Sequence, residues 1–209
     1  MLGWTAVGLR RKEWEYIFKP AALIAIIIGA FLLTQGPHDE WQSRFFLIGL
    51  AFSLTGDVFL MLPREGFFLP GLVSFLLAQL CYIAGLNSSL PSGPALFLLI
   101  PIAIIGAILF SRIAAGLNAA GRTSLLVPVG IYSFVICIML FSAWATLGRA
   151  EWTTSRRALV IVGASLFFAS DAMLAWNRFV NPLRIANLAV IVTYHLGQLA
   201  LAGSIAETA

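Results

Sequence analysis

Ser53-Leu54-Thr55-Gly56-Asp57-Val58-Phe59-Leu60 decides how this chain is read, because it puts one carboxylate into a run otherwise free of charge from Phe45 to Leu62. A second stretch echoes it: Leu166-Phe167-Phe168-Ala169-Ser170-Asp171-Ala172-Met173. In each, a glycine lies eight residues before the aspartate (Gly49 and Gly163) and a small residue directly precedes it. Ionisable side chains are costly in hydrocarbon, so an acid in a spanning segment is a candidate functional group, and here there are two in matching context.

Composition sets the class. Of 209 residues, 60% are hydrophobic and 11% charged, and the mean hydropathy is +0.95. A soluble domain carries about 25% charged residues. The expected fold is therefore all-α, a polytopic transmembrane helical bundle. The net charge of +4 is scattered between apolar runs, as membrane-flanking residues are, so no nucleic-acid partner is expected. Cys81 and Cys137 lie in apolar runs and imply no disulfide framework.

About seven apolar runs follow one another, at 20–35, 45–62, 67–87, 94–111, 124–147, 157–176 and 185–205. Each is near the ~20 residues that a bilayer core requires. The first is short and extends back toward Tyr16, since proline is acceptable in a first helical turn and Pro20 would stand there. Residues 1–19 read as a cytoplasmic or interfacial lead-in, and 20–205 as a single transmembrane domain. The connectors, such as Pro63-Arg64-Glu65-Gly66 and Asn181-Pro182, carry turn residues and leave no room for a soluble domain.

Lysine and arginine set the expected orientation. With the N-terminus in the cytoplasm, that side holds nine: Arg10, Arg11, Lys12, Lys19, Arg64, Arg112, Arg122, Arg178 and Arg184. The other side holds four, Arg44, Arg149, Arg156 and Arg157, and the segment Gly148 to Arg157 argues against the assignment. In this orientation the second and sixth spans both run inward. Both aspartates then lie roughly 7–8 Å inside the cytoplasmic boundary, at 1.5 Å of rise per residue. Shared depth and direction suit a parallel internal repeat.

Two buried carboxyls near one another divide labour readily, one holding a proton while the other is a base. Acid-base hydrolysis of an acid-labile bond needs that division. The bland alternative for Asp57 is a structural acid, paired with an arginine or capped by Ser53 and Thr55. Further polar residues lie in the spans: Gln79 and Tyr82 on the third, Tyr132 on the fifth, and Tyr194, His195 and Gln198 on the seventh. Tyr194 and Gln198 share a helix face. Interhelical hydrogen bonding explains each of these singly, His195 included. Asn177 and Arg178 follow Asp171 toward the cytoplasm, and Arg178 suits an anionic headgroup. Lys12 and Lys19 both precede the first full run, so no lysine is expected inside the membrane. Metal-ligand spacings and nucleotide loops are absent from the sequence, and neither metal nor cofactor is expected.

The residues together resemble the YhhN family of membrane proteins, which includes the lysoplasmalogenases. The resemblance rests on Lys19-Pro20, Gly56-Asp57-Val58-Phe59-Leu60, Phe68, Gly71, Phe75 and Tyr82. It continues through Pro128, Tyr132 and Met139, the stretch Gly163 to Asp171, Asn177 and Phe179, and ends with Tyr194 and Gln198. It runs from about Lys19 to Ser204. Two departures stand out: the family usually has eight spans, and Gln79 occupies a position where relatives usually carry a histidine.

The resemblance implies hydrolysis of the vinyl ether of an alkenyl lysophospholipid to a fatty aldehyde and a glycerophospho-alcohol. Asp57 and Asp171 would be catalytic. Gln79, Tyr82, Tyr132, Asn177, Arg178, Tyr194 and Gln198 would hold substrate and water. The expected partners are the lysophospholipid and membrane lipids. The expected location is a multi-pass position in a bacterial inner (plasma) membrane. The alternative is a small proton-coupled transporter or permease using the same acids, which requires a path open at both ends.

Overall fold

The computed structural model of the protein describes residues 12–89, 91, 93–183 and 186–206. Among them are seven α-helices and no strand: α1 (Lys12–Leu33), α2 (Glu40–Met61), α3 (Phe68–Leu86), α4 (Leu99–Ala119), α5 (Leu126–Ala145), α6 (Thr154–Phe179) and α7 (Ala186–Gly203). Five segments are long and apolar enough to cross a membrane by length and composition, those of α2 to α6; Lys19–Leu33 and Asn187–Gly203 are apolar but shorter. Backbone polar groups have no water to bond within hydrocarbon, so an all-helical bundle is the arrangement such runs must adopt. The bundle is an integral membrane protein.

Two helix ends are set by side chains. Asp39 caps α2 by accepting from the Gln42 amide at 3.1 Å, and Thr153 caps α6 by accepting from the Arg156 amide at 3.1 Å. Pro20 does not open a helix as expected; α1 begins at Lys12 and carries Pro20 in its interior. Residues 12–19, read as lead-in, are thus helical, and Lys19 lies within the bundle. Arg10, Arg11 and Arg184, counted for orientation, lie outside the described residues. Helix α4 runs past the expected end at residue 111, so Arg112 is an exposed helical residue.

Adjacent helices in the chain pack most extensively as α2 on α3 and α6 on α7. The glycine echo explains why. A Cβ at Gly49 would stand 2.7 Å from the Tyr82 ring of α3, and one at Gly56 2.6 Å from the Phe75 ring. On α6, a Cβ at Gly163 would stand 2.9 Å from the Gly197 carbonyl of α7, and Ser170 donates to the Val190 carbonyl at 2.9 Å. The residues eight and one before each aspartate share one face, seven residues apart, and that face receives the next helix in the chain. Small residues give such close helix crossings in membranes.

The core runs through the centre of the bundle. Phe75, Tyr82, Phe167 and Tyr194 make edge or tilted ring contacts there, with centroids 5.7–6.3 Å apart. Helix α4 is the most peripheral, burying Ile102, Ile113 and Leu117 and exposing Ile100, Ile104, Ile105 and Ile108.

Candidate active site

Asp57 is 1% exposed, near the C-terminal end of α2. Its partner is neither an arginine nor Ser53 or Thr55. Lys19 Nζ of α1 stands 2.8 Å from Asp57 Oδ1. Thr55 bonds the Ala51 carbonyl of its own helix, and Ser53 accepts from Gln198. Lys19 is only 16% exposed and lies 5.8 Å from the centroid of the Tyr194 ring. Lys19, read as preceding the first full run, is therefore packed inside the bundle against Asp57. The sequence carried one signal for this, the Lys19-Pro20 pair shared with the resembled family, but nothing in it pointed the ammonium at Asp57.

Asp171 has different company. Tyr132 of α5 donates a short hydrogen bond to Asp171 Oδ2, and Gln79 of α3 donates to the same oxygen at 3.4 Å. No cation pairs with it among the described residues. Asp57 and Lys19 are both near enough to act on Asp171 electrostatically. The Tyr194 hydroxyl is buried beside Asp57 and Gln198 without a hydrogen bond of ordinary geometry. Each acid is thus attended by the helix that follows the other: Asp57 of α2 by α7, and Asp171 of α6 by α3.

Asp171 and Tyr132 line a cavity of about 80 Å³ with an apolar wall that includes Leu72, Phe75, Phe110, Ile136 and Phe168. Arg178 also lines it, with its guanidinium 4.2 Å from the centroid of the Phe68 ring. A slot of this kind suits an alkyl chain with an anionic group at one end. A second cavity, about 440 Å³, is lined by Tyr16, Lys19, Met61, Pro63 and Asn187 among others. Leu60 and Leu174 line both cavities. Each stands three residues, one helical turn, beyond its aspartate.

Other expected site residues have hydrogen-bond partners within the bundle. Asn177 accepts from the Leu183 amide at 2.8 Å and holds the turn between α6 and α7. Gln198 accepts from the Tyr82 hydroxyl at 2.6 Å and donates to Ser53 at 3.0 Å, and all three are fully buried. That chain ties α2, α3 and α7 together on the wall behind Asp57. His195 is buried beside the Tyr194 ring, with centroids 5.3 Å apart.

At the opposite end of the bundle, Arg156 donates to Asp39 at 2.7 Å and to Gln42 at 2.7 and 3.1 Å, and Gln42 donates to Ser204 at 3.0 Å. Its guanidinium stacks 3.7 Å over Trp152, whose ring also receives Arg149 at 5.1 Å. Burial opposes the Asp39 carboxylate, but Arg156 and the Gln42 and Trp41 amides outweigh it and hold its carboxyl below the usual range. Arg149 and Arg156 are 7% and 4% exposed. Their presence in the segment that argued against the orientation has a structural reason.

Comparison with known proteins bears on all of this. The YhhN family profile matches residues 14–205. The lysoplasmalogenase TMEM86B of Homo sapiens is 32% identical over 177 residues, covering 85% of this chain and 70% of that protein. The lysoplasmalogenase TMEM86A of Bos taurus is 29% identical over 180 residues, with 85% and 70% covered. The lysoplasmalogenase of Mycobacterium tuberculosis is 30% identical over 165 residues, 76% of this chain and 58% of that protein. No solved structure matches the chain. With nearly the whole described bundle inside the matched range, the chain belongs to the YhhN family of membrane proteins.

Proposed function

We propose that the protein is a membrane-embedded hydrolase that cleaves the vinyl ether bond of lysoplasmalogens, releasing a fatty aldehyde and a glycerophospho-alcohol. One observation carries the reading: Asp171, which pairs with no cation among the described residues, lines an apolar slot that Arg178 also lines, while the other acid, Asp57, is paired with Lys19. The start of the alkenyl chain, next to the ether, occupies the slot, and the rest of the chain extends into the bilayer. The vinyl ether lies against Asp171, and the phosphate reaches Arg178. Seven residues of α6 separate the two, roughly 10 Å of helix, a distance that a glycerol unit and an arginine side chain together span.

Vinyl ethers yield to acid. Asp171 gives its proton to the alkene carbon remote from oxygen, and an oxocarbenium ion forms. Tyr132 and Gln79 both donate to Oδ2, which leaves Oδ1 to carry the proton. Asp57, paired with Lys19, stabilises the cation and takes a proton from the attacking water. The resulting hemiacetal breaks to aldehyde and alcohol.

A transport path would have to open at both ends. The Arg156–Asp39–Gln42–Ser204 network at the far end of the bundle supports the hydrolase instead. The end bearing Arg64, Arg122 and Arg178 faces the cytoplasm of a bacterial inner membrane, and the lipid comes from that leaflet.

The test is aldehyde release from alkenyl lysophospholipids with choline and ethanolamine headgroups, beside Asp57→Asn and Asp171→Asn. Release by the parent protein and loss in folded variants is the expected result. No release by folded parent protein with either headgroup overturns the reading.

A further inference from the structure

The proposed reaction joins a lipid to water, and two cavities reach the acids differently: Asp171 lines one, and Lys19, the partner of Asp57, lines the other. The slot on the Asp171 side is apolar apart from Asp171, Tyr132, Ser133 and Arg178. The larger cavity carries Tyr16, Lys19 and Asn187 and lies at the end of α2 marked by Met61 and Pro63. The two meet only at Leu60 and Leu174. Lys19 stands at the boundary: it lines the larger cavity and pairs with Asp57, which is itself almost wholly buried.

We propose that the larger cavity is a separate aqueous entrance to the acid pair, admitting the water that the reaction consumes while the lipid occupies the slot. The inference rests on the hydrolase reading. An apolar cavity stays dry, and one filled by an alkyl chain conducts no water, whereas a vestibule that carries a lysine, a tyrosine and an amide among its apolar residues can hold it. The base that water must meet is the partner of Lys19, which lines the vestibule. Water forms a bond from its oxygen to the carbon that bears the ether oxygen, and one of its protons goes to Asp57. The hemiacetal then breaks its carbon–oxygen bond to glycerol as its hydroxyl proton moves to the glycerol oxygen. The proton on Asp57 restores the one that Asp171 gave. Leu60 and Leu174 keep bulk water from the alkene until the cation has formed.

The experiment uses Asn187→Cys and, separately, Leu62→Cys, both at exposed vestibule positions. The native Cys137, which lines the slot, is the internal comparison. Purified protein is treated with a trimethylammonium methanethiosulfonate, with and without a saturated alkyl lysophosphocholine that cannot be cleaved. The introduced thiol is expected to react equally fast in both cases, while the lipid shields Cys137. Modification is expected to lower kcat by about tenfold or more, with KM for the alkenyl lipid unchanged. Slower modification of the introduced thiol in the presence of the lipid would make the vestibule a headgroup site and overturn the proposal. So would full kcat after complete modification. If the unmodified protein releases no aldehyde, the hydrolase reading fails, and the thiol rates alone decide whether the vestibule is separate from the lipid slot.

Discussion

Lys19 Nζ of α1 lies 2.8 Å from Asp57 Oδ1 of α2, and the two side chains are 16% and 1% exposed. Removing one partner of a buried pair leaves the other charge uncompensated, at a cost of about 3–5 kcal/mol. Lys19→Met is therefore expected to lower the melting temperature in detergent and to abolish most aldehyde release. Lys19→Arg keeps the charge and retains part of both. The double variant Lys19→Met/Asp57→Asn recovers stability without recovering activity. Thermal unfolding of the four proteins, with rates measured on the folded fractions, separates the structural role of the pair from its catalytic one.

Asp171 carries the proton in the proposed chemistry, and Tyr132 orients it. Loss of a general acid costs about 10²–10⁴-fold in rate, so Asp171→Asn should fall in that range with the fold intact. Tyr132→Phe leaves the acid present but less well held. Its expected loss is about tenfold in kcat, the equivalent of about 1.4 kcal/mol, within the range of one hydrogen bond. Steady-state kinetics on the two variants would order them this way. A Tyr132→Phe protein as inactive as Asp171→Asn would point to Tyr132 itself in the proton transfer.

Arg178 lines the slot, stacked on Phe68. Its contact with a phosphate would be made equally in the bound and activated states, so Arg178→Gln should raise KM and leave kcat almost unchanged. The expected rise is about tenfold, from one charge-assisted contact. A fall in kcat at constant KM would move Arg178 away from the headgroup.

Gly163 and Gly197 cross with their backbones in contact: a Cβ on either would stand 2.9 Å from the carbonyl oxygen of the other. Backbone cannot swing aside as a side chain can. Gly163→Val should therefore separate α6 from α7 and cost about 1–3 kcal/mol or more of stability. Gly29, with nothing near its Cβ direction, is the control, and Gly29→Ala should leave the melting temperature unchanged.

The Asp39–Arg156 contact sets an acid limit on stability. The Asp39 carboxyl titrates below its ordinary value of 3.8 in the folded protein. Its stabilising contribution is thus fully present above that value and is lost as pH falls through the lower, folded one. Melting temperatures should fall below about pH 4, and Asp39→Asn should flatten that part of the curve while lowering stability at neutral pH.

Much of this protein was legible in the chain. Apolar runs of membrane length dictate helices, because hydrocarbon offers the backbone no other partner. The two aspartates announced themselves by their cost in such runs, and the glycines eight residues ahead were visible as an echo, but only the structure shows them facing α3 and α7. What each acid touches was not legible. These helices are apolar on most of their circumference, so the 3.6-residue period says little about which way a side chain turns or which neighbour it meets. Lys19 read as a flanking residue until α1 brought it onto Asp57. Asn177 read as a substrate ligand, and its contact with the Leu183 amide was invisible in the chain. Arg149 and Arg156 read as topological signals until Trp152, Asp39 and Gln42 closed around them. The sequence by itself determined a helical membrane bundle with two costly acids. Only the rotation and crossing of the helices decided that one acid meets a lysine and the other a tyrosine, since those contacts join residues 38 or more positions apart.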